Sequence, residues 1–186
     1  MQVDLDNASL PYADDSFDFV TCVEVVEHLE NYRHLLREAY RVLKPGGLFI
    51  VTTPNILNMK SRFRCLMTGF SSLFSPLSTK IDTVYSTGSH IAPIPYFYLV
   101  HGLLAAGFTF LDSIADNVQK TSFILLLFFW PLLLPGYAWF WMHESRKNHI
   151  TKTNKRFVKD HLSWRILTAR TVIIAGTKTP SPKKDG

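Results

Sequence analysis

The sequence predicts an α/β protein, an open sheet with a helical crossover and an apolar helical hairpin inserted near its end. Three observations carry this. "FVTCVEV" (19–25) and "LFIVTTP" (48–54) are nearly continuous apolar runs rich in β-branched residues, the pattern of strands buried on both faces in a parallel sheet. Between them Leu35, Leu36, Ala39, Tyr40 and Leu43 recur at helical spacing until Pro45-Gly46-Gly47 breaks the pattern, so the unit reads strand, helix, strand. Finally, "SFILLLFFWPLLLPGYAWFWM" (122–142) sits between two further strand-like stretches, "FTFLDSIA" and "RTVIIAGTK".

Taken in order, "QVDL" reads as a short strand. "DNASLPYADDSFD" is a polar loop turning at Asp14-Asp15-Ser16, with Asp18 orienting the chain into the next strand. Arg33, Arg37, Glu38, Arg41 and Lys44 fall on the face of the first helix opposite its apolar stripe, the side expected to meet solvent. "ILNMKSRFRCLMTGF" has helical spacing with Lys60, Arg62 and Arg64 interleaved, and a Ser-rich stretch leads to His90. Tyr96–Ala106 reads as a helix, and "TPSPKKDG" as a disordered tail.

A chain of 186 residues, 47% hydrophobic and 13% aromatic, is long enough for one core. Cys22 and Cys65 have no metal-knuckle spacing and no signal peptide precedes them, which points to a reducing, cytoplasmic-side setting rather than a disulfide scaffold. The net charge of +5 comes largely from the C-terminal third, and no internal repeat is visible.

Glu24, Glu27 and His28 stand at the C-terminal end of the "FVTCVEV" strand, the edge at which open α/β sheets bind ligands. Carboxylate oxygens with an imidazole suit Mg²⁺, Mn²⁺ or Zn²⁺. The same residues also suit a helix N-terminus, where glutamate complements the macrodipole, and His28 by itself is a candidate catalytic base.

The stretch "VDLDNASLPYADDSFDFVTCVEVVEHLENYRHLLREAYRVLKPGGLFIVTTPN" resembles the class I S-adenosylmethionine-dependent methyltransferases, type 11 subgroup, in its Asp-rich "LPY…SFD" loop, its "EHL" and its "RVLKPGG". The resemblance implies a partial Rossmann-like methyltransferase sheet lacking its N-terminal strands. The family's glycine-rich loop, which approaches the cofactor's methionine part, and the acidic residue that binds its ribose would lie upstream of Met1, and no G-x-G-x-x-G occurs here. The chain is therefore expected to be the C-terminal part of such an enzyme, with one sheet edge poorly covered and weak binding of S-adenosylmethionine by the chain alone. In the family, the carboxylate after the third strand contacts the adenine. Asp4 is the first choice for that position and Asp6 the second, with Leu10 and Tyr12 walling the ring. Glu-x-x-Glu-His also resembles the metal site of the ubiquinone-pathway O-methyltransferases and of small-RNA 2′-O-methyltransferases, in which a downstream histidine completes the set. His90 matches it, giving Glu24, Glu27, His28 and His90 as ligands for Mg²⁺ or Mn²⁺.

Asn55, at the same mouth, reads either as a contact for the acceptor or as an ordinary turn residue, and Lys60, Arg62 and Arg64 as a binding group for a phosphate or a membrane surface or as a solvated helix face. The acceptor is expected to be a hydroxyl on a small molecule, a glycan or a lipid-linked compound. Nucleic acid is disfavoured because an aromatic, lipid-seeking run has no part in RNA binding. A non-catalytic, membrane-anchored remnant is the second functional reading.

The run 122–142 is long enough for a membrane span. The strands expected on either side of it must share one side of a bilayer, however, and Pro131 and Pro135-Gly136 are expected to break it into two short helices. The sequence thus predicts a hairpin dipping into one leaflet on the cytoplasmic face, its tryptophans near the headgroups and the following basic run beside anionic lipid. A protein-covered patch and a true span are the alternatives. The resulting organisation is 1–120 methyltransferase part, 121–143 hairpin, 144–178 basic segment and last strand, and 179–186 tail.

Overall fold

The computed structural model describes residues 3–77 and 90–179. The elements are β1 (Phe17–Val23), α1 (Tyr32–Val42), β2 (Leu43–Pro54), α2 (Met59–Thr68), α3 (Tyr96–Ala106), β3 (Phe108–Ala115), α4 (Lys120–Arg146), α5 (Lys155–Asp160), α6 (Trp164–Thr168) and β4 (Thr171–Lys178). The strands form one sheet in the order β1-β2-β4-β3. β1 and β2 are parallel, as the α1 crossover requires, and β4 runs antiparallel to both β2 and β3. The two strand-like stretches on either side of the apolar run are therefore hydrogen-bonded neighbours. Of the disordered tail expected at 179–186, residues 180–186 lie outside the described residues.

The core forms where the apolar stripe of α1 (Leu35, Leu36, Ala39) meets β2 (Phe49, Val51), α3 (Leu99, Leu103), β3 (Phe108) and β4 (Val172, Ile174). Phe49 stacks on Phe108 with ring centroids 5.1 Å apart. Gly107 ends α3 with φ +105, and a Cβ there would lie 2.9 Å from the Tyr40 ring, so both the turn and the close approach need glycine. β1 is an edge strand among the described residues, and Phe19 and Val23 lie exposed on it.

Two expectations are corrected. Val3–Leu5 is not a strand. The Asp4 carboxylate accepts from the Asp6 N–H (3.0 Å) and from Asn7 Nδ2 (3.2 Å), and this local capture bends the backbone away from extended pairing. Nor is the apolar run a hairpin: α4 is one helix of 27 residues running through Pro131 and Pro135. Each proline removes one backbone donor and crowds one carbonyl. Packing at both ends offsets that loss. Ser122 binds the α2 N-cap residue Asn58 (3.3 Å), and the Tyr137 hydroxyl donates to the Val158 carbonyl (3.2 Å). The basic segment after it folds as α5 and α6 and returns along α4.

Candidate active site

At the end of β1 the chain turns sharply. Glu24 takes a left-handed φ of 51°, and its N–H is held by Thr52 of β2 through the side-chain oxygen (3.0 Å). A non-glycine residue held there marks a position fixed by its surroundings. The turn delivers the next residues into a 3-10 turn, Val26–His28, at the C-terminal mouth of the parallel strands.

Glu27 is fully buried, its carboxylate reached by the Thr53 hydroxyl at 3.3 Å, while Oε1 has no hydrogen-bond partner among the described residues. Its backbone carbonyl accepts from Ile91 and Ala92 N–H, both at 2.9 Å, which ties the segment carrying His90 to the turn. Ligand atoms of Glu27, His28 and His90 lie within 4.8 Å of one another. The two imidazoles meet edge to face with centroids 4.8 Å apart. His90 Nδ1 lies 2.9 Å from the Leu73 carbonyl, so Nδ1 carries the proton and Nε2 is the atom with a lone pair to offer.

Burial pushes the Glu27 carboxyl above its ordinary range, with Glu24 adding to the rise and the two histidines opposing it. A fully buried carboxylate with an orphaned oxygen, faced by two imidazoles, is chemistry that fits a divalent cation. Cys22 is not among the converging ligand atoms. Its burial, together with the nearby Glu27, pushes its thiol up to about 12. Glu24 stands apart from the group, because its reversed backbone sends the carboxylate out to the Thr171 hydroxyl (3.4 Å). The four-residue convergence expected from sequence is a three-residue one.

Along the loop that precedes β1, Val3, Leu5, Leu10, Pro11 and Tyr12 line a pocket of about 370 Å³. Leu10 and Tyr12 both line this pocket, and Tyr12 is braced edge-on by Phe17 at 4.9 Å. Asp4 spends its carboxylate on its own turn. Asp6 accepts from the Asn31 N–H (2.7 Å) at the start of α1, so it anchors the loop.

The loop's shape depends on two residues that periodicity assigns to solvent. Glu38 is buried and accepts from Leu10 N–H (2.7 Å), while Arg41 binds Glu38, the carbonyls of Leu10 and Tyr12, and Asp14 (2.7 Å). The hydrogen bonds from Arg41 hold the Glu38 carboxyl below its ordinary range. The i, i+3 spacing of an acid and an arginine facing an Asp-rich loop was the available signal.

Asn55 does not face an acceptor. It is buried and donates to the carbonyls of Ile166 (2.7 Å) and Ala169 (3.0 Å), locking the end of β2 to α6. Asn58, not singled out from sequence, caps α2 and donates to Ala169 as well. Arg62 is likewise committed, to the carbonyls of Leu57 (2.6 Å) and His161 (3.2 Å), and burial lowers its pKa. It is not available to a phosphate. Asp18 pairs with Lys44 at 2.8 Å.

Residues 1–51 match the protein family described as "Methyltransferase domain". Over 48 residues the chain is 48% identical to a probable S-adenosylmethionine-dependent methyltransferase of Mycolicibacterium smegmatis, covering 26% of this chain and 19% of that protein. It is 40% identical over 81 residues to the mitochondrial 2-methoxy-6-polyprenyl-1,4-benzoquinol methylase of Xenopus laevis, covering 44% and 21%. It is 42% identical over 73 residues to the demethylmenaquinone methyltransferase of Listeria welshimeri, covering 36% and 31%. The chain thus spans less than a third of these relatives. In fold it is similar to a SAM-dependent methyltransferase, possible histamine N-methyltransferase, of Thermotoga maritima, with a TM-score of 0.52 and 18% identity over 96% of this chain and 63% of that one.

Proposed function

We propose that the chain is part of a class I S-adenosylmethionine-dependent methyltransferase of type 11, the family whose domain matches residues 1–51, and that the protein methylates a hydroxyl oxygen at the mouth formed by Glu27, His28 and His90. The observation that carries the proposal is the convergence of those three side chains within 4.8 Å at the C-terminal end of the parallel strands.

The pocket along Val3, Leu5, Leu10, Pro11 and Tyr12 would take the adenine of S-adenosylmethionine, whose sulfonium supplies an electrophilic methyl group. Glu27, His28 and His90 would hold Mg²⁺ or Mn²⁺, which would lower the pKa of an acceptor hydroxyl bound beside it. An O–CH₃ bond would form as the S–CH₃ bond breaks. With a cation held, the His28 lone pair is committed to it and the hydroxyl proton would leave to solvent, whereas without a cation His28 would be the base that takes that proton. Thr53 and the backbone bonds from Ile91 and Ala92 hold Glu27, while Leu73 fixes the tautomer of His90. Their part is to keep the donors preorganised, so that orientation is set before the acceptor arrives.

The acceptor class this reading favours is lipid-borne, with the protein on the cytoplasmic face of a membrane. The long apolar α4 supports it, and one of the matched relatives is by its name a methylase of a polyprenyl-bearing quinol. Methyl transfer is tested with the protein stripped by chelator and then supplied with Mg²⁺ or Mn²⁺. Loss and recovery of transfer is the expected result. Transfer indifferent to the chelator would leave His28 acting as a base without metal.

A further inference from the structure

The outer surface of α4 has no place on an ordinary soluble domain. Between Lys120 and Glu144 there is no charged residue, and the outward positions Phe123, Ile124, Leu127, Phe128, Leu132, Leu134, Trp139 and Met142 are all exposed. A surface helix normally carries its charges there. α2 runs beside it, since Lys60 N–H meets Ser122 and Phe63 meets Phe129 (ring centroids 5.8 Å). It continues the apolar surface through Leu66 and Met67, 81% and 68% exposed, and on through Phe70, Leu73 and Leu77.

Composition alone would let α4 cross a bilayer. The packing opposes it. The first turn of α4 is bonded to Asn58 and Lys60, and its last turns lie against α5, with Lys155 and Lys159 over the Trp141 ring at 5.8 and 6.0 Å. The polar body therefore flanks the helix from end to end, and a helix standing across a membrane would carry that body into hydrocarbon. Charge names the surface that covers the apolar face instead. Residues 144–170 hold eight Lys and Arg against two acids, the complement of an anionic leaflet.

We infer that the protein is monotopic: α2 and α4 lie side by side in the headgroup plane of an anionic bilayer, and the stretch Phe70–Leu77 leads from that plane to the catalytic mouth. Two contacts join this stretch to the site. The Leu73 carbonyl holds His90, with Leu73 itself in a left-handed conformation (φ 69), and the Phe74 ring lies 5.2 Å from the His90 ring. An acceptor with an apolar tail would keep the tail along Leu66, Met67, Phe70 and Leu73 while its hydroxyl reaches the histidines. The route of the acceptor rests on the proposed methyl transfer; the docking does not.

The native thiols allow a direct test. Cys65 is exposed on α2, whereas Cys22 is buried with its thiol pushed up to about 12, so an environment-sensitive fluorophore labels Cys65 selectively. With vesicles of phosphatidylcholine and phosphatidylglycerol, the fluorophore is expected to shift to the blue and the tryptophans to be quenched by shallow brominated lipids more than by deep ones. L66S/M67S should weaken vesicle binding at least about tenfold with the circular dichroism spectrum unchanged. Strongest quenching from the bilayer centre, with an unshifted Cys65 label, would mean a span and overturn the inference. So would a dimer in solution that buries this face and ignores vesicles. Mn²⁺ binding by the same samples separates the two readings. Intact Mn²⁺ binding without vesicle binding rejects only the docking, and the reverse rejects only the metal-assisted site.

Discussion

Replacing Glu38 by Gln tests whether its ion pair with Arg41 shapes the loop at Leu10–Asp14. In the native protein the carboxylate accepts from Leu10 N–H at 2.7 Å and from Arg41 Nε and Nη2 at 3.0 and 2.8 Å. Glutamine offers one acceptor and turns an NH₂ group toward a partner that is itself a donor. Hydrogen bonds to charged groups contribute about 1.5–3 kcal/mol each. The three are not additive, and Arg41, 27% exposed, keeps Asp14 and two carbonyls. The net loss should be about 2 kcal/mol, which at a urea slope of about 2 kcal/mol/M lowers the unfolding midpoint by about 1 M. The pH dependence has a definite sign. Because the folded-state pKa of Glu38 is depressed, its contribution is full above the ordinary carboxylate value of about 4.3 and is lost as the pH falls through the lower, folded value. Urea titrations followed by circular dichroism at pH 7, 5 and 3 should therefore show the gap between wild type and E38Q closing with acid. Equal midpoints at pH 7, or a gap that widens as the pH falls, would refute the reasoning.

Two further substitutions probe Asn55 at the end of β2 and Glu27 in the turn after β1. N55A removes two donors to the carbonyls of Ile166 and Ala169 and the acceptor for Leu57 N–H, and should cost about 3 kcal/mol in urea unfolding; a change under about 1 kcal/mol would mean the clasp is dispensable. E27Q should have the opposite sign in cation-free buffer. The Glu27 pKa is raised in the folded state, so the wild type loses stability as the pH rises from the ordinary glutamate value toward the raised one. E27Q escapes that loss and should melt higher than wild type at pH 7 but alike at pH 4. Added Mn²⁺ should stabilise only the wild type.

The parallel pair with its crossover was legible because β1, α1 and β2 follow simple periods: both strands read as apolar runs, and Pro45-Gly46-Gly47 interrupts the helical spacing. Only β2 is largely buried, however, and β1, expected to be covered on both faces, is an exposed edge among the described residues. The grouping of Glu27 and His28 with His90, 62 residues downstream, was legible only through resemblance, since no local pattern joins them. What failed were positions decided by tertiary partners. Glu38 looks solvated on a helical wheel and is buried because the loop at Leu10–Asp14 folds over it. Asn55 looks like a turn residue at the mouth and instead clasps α6 from across the chain. Glu24 differs from Glu27 by one backbone angle, its φ of 51°, which composition does not encode. The two prolines of α4 argue locally for a break, and the contacts with α2 and α5 override them.

The central claim, that three side chains and not four form a cation site at the end of β1, is met most directly by Mn²⁺ binding followed by electron paramagnetic resonance in the wild type, H90A and E24Q. The account predicts that H90A weakens Mn²⁺ at least about tenfold, as loss of a ligand or its support commonly does, while E24Q stays within about threefold of wild type because its carboxylate is turned toward Thr171. An H90A protein that binds Mn²⁺ as the wild type does, or an E24Q protein that loses it equally, would contradict the claim.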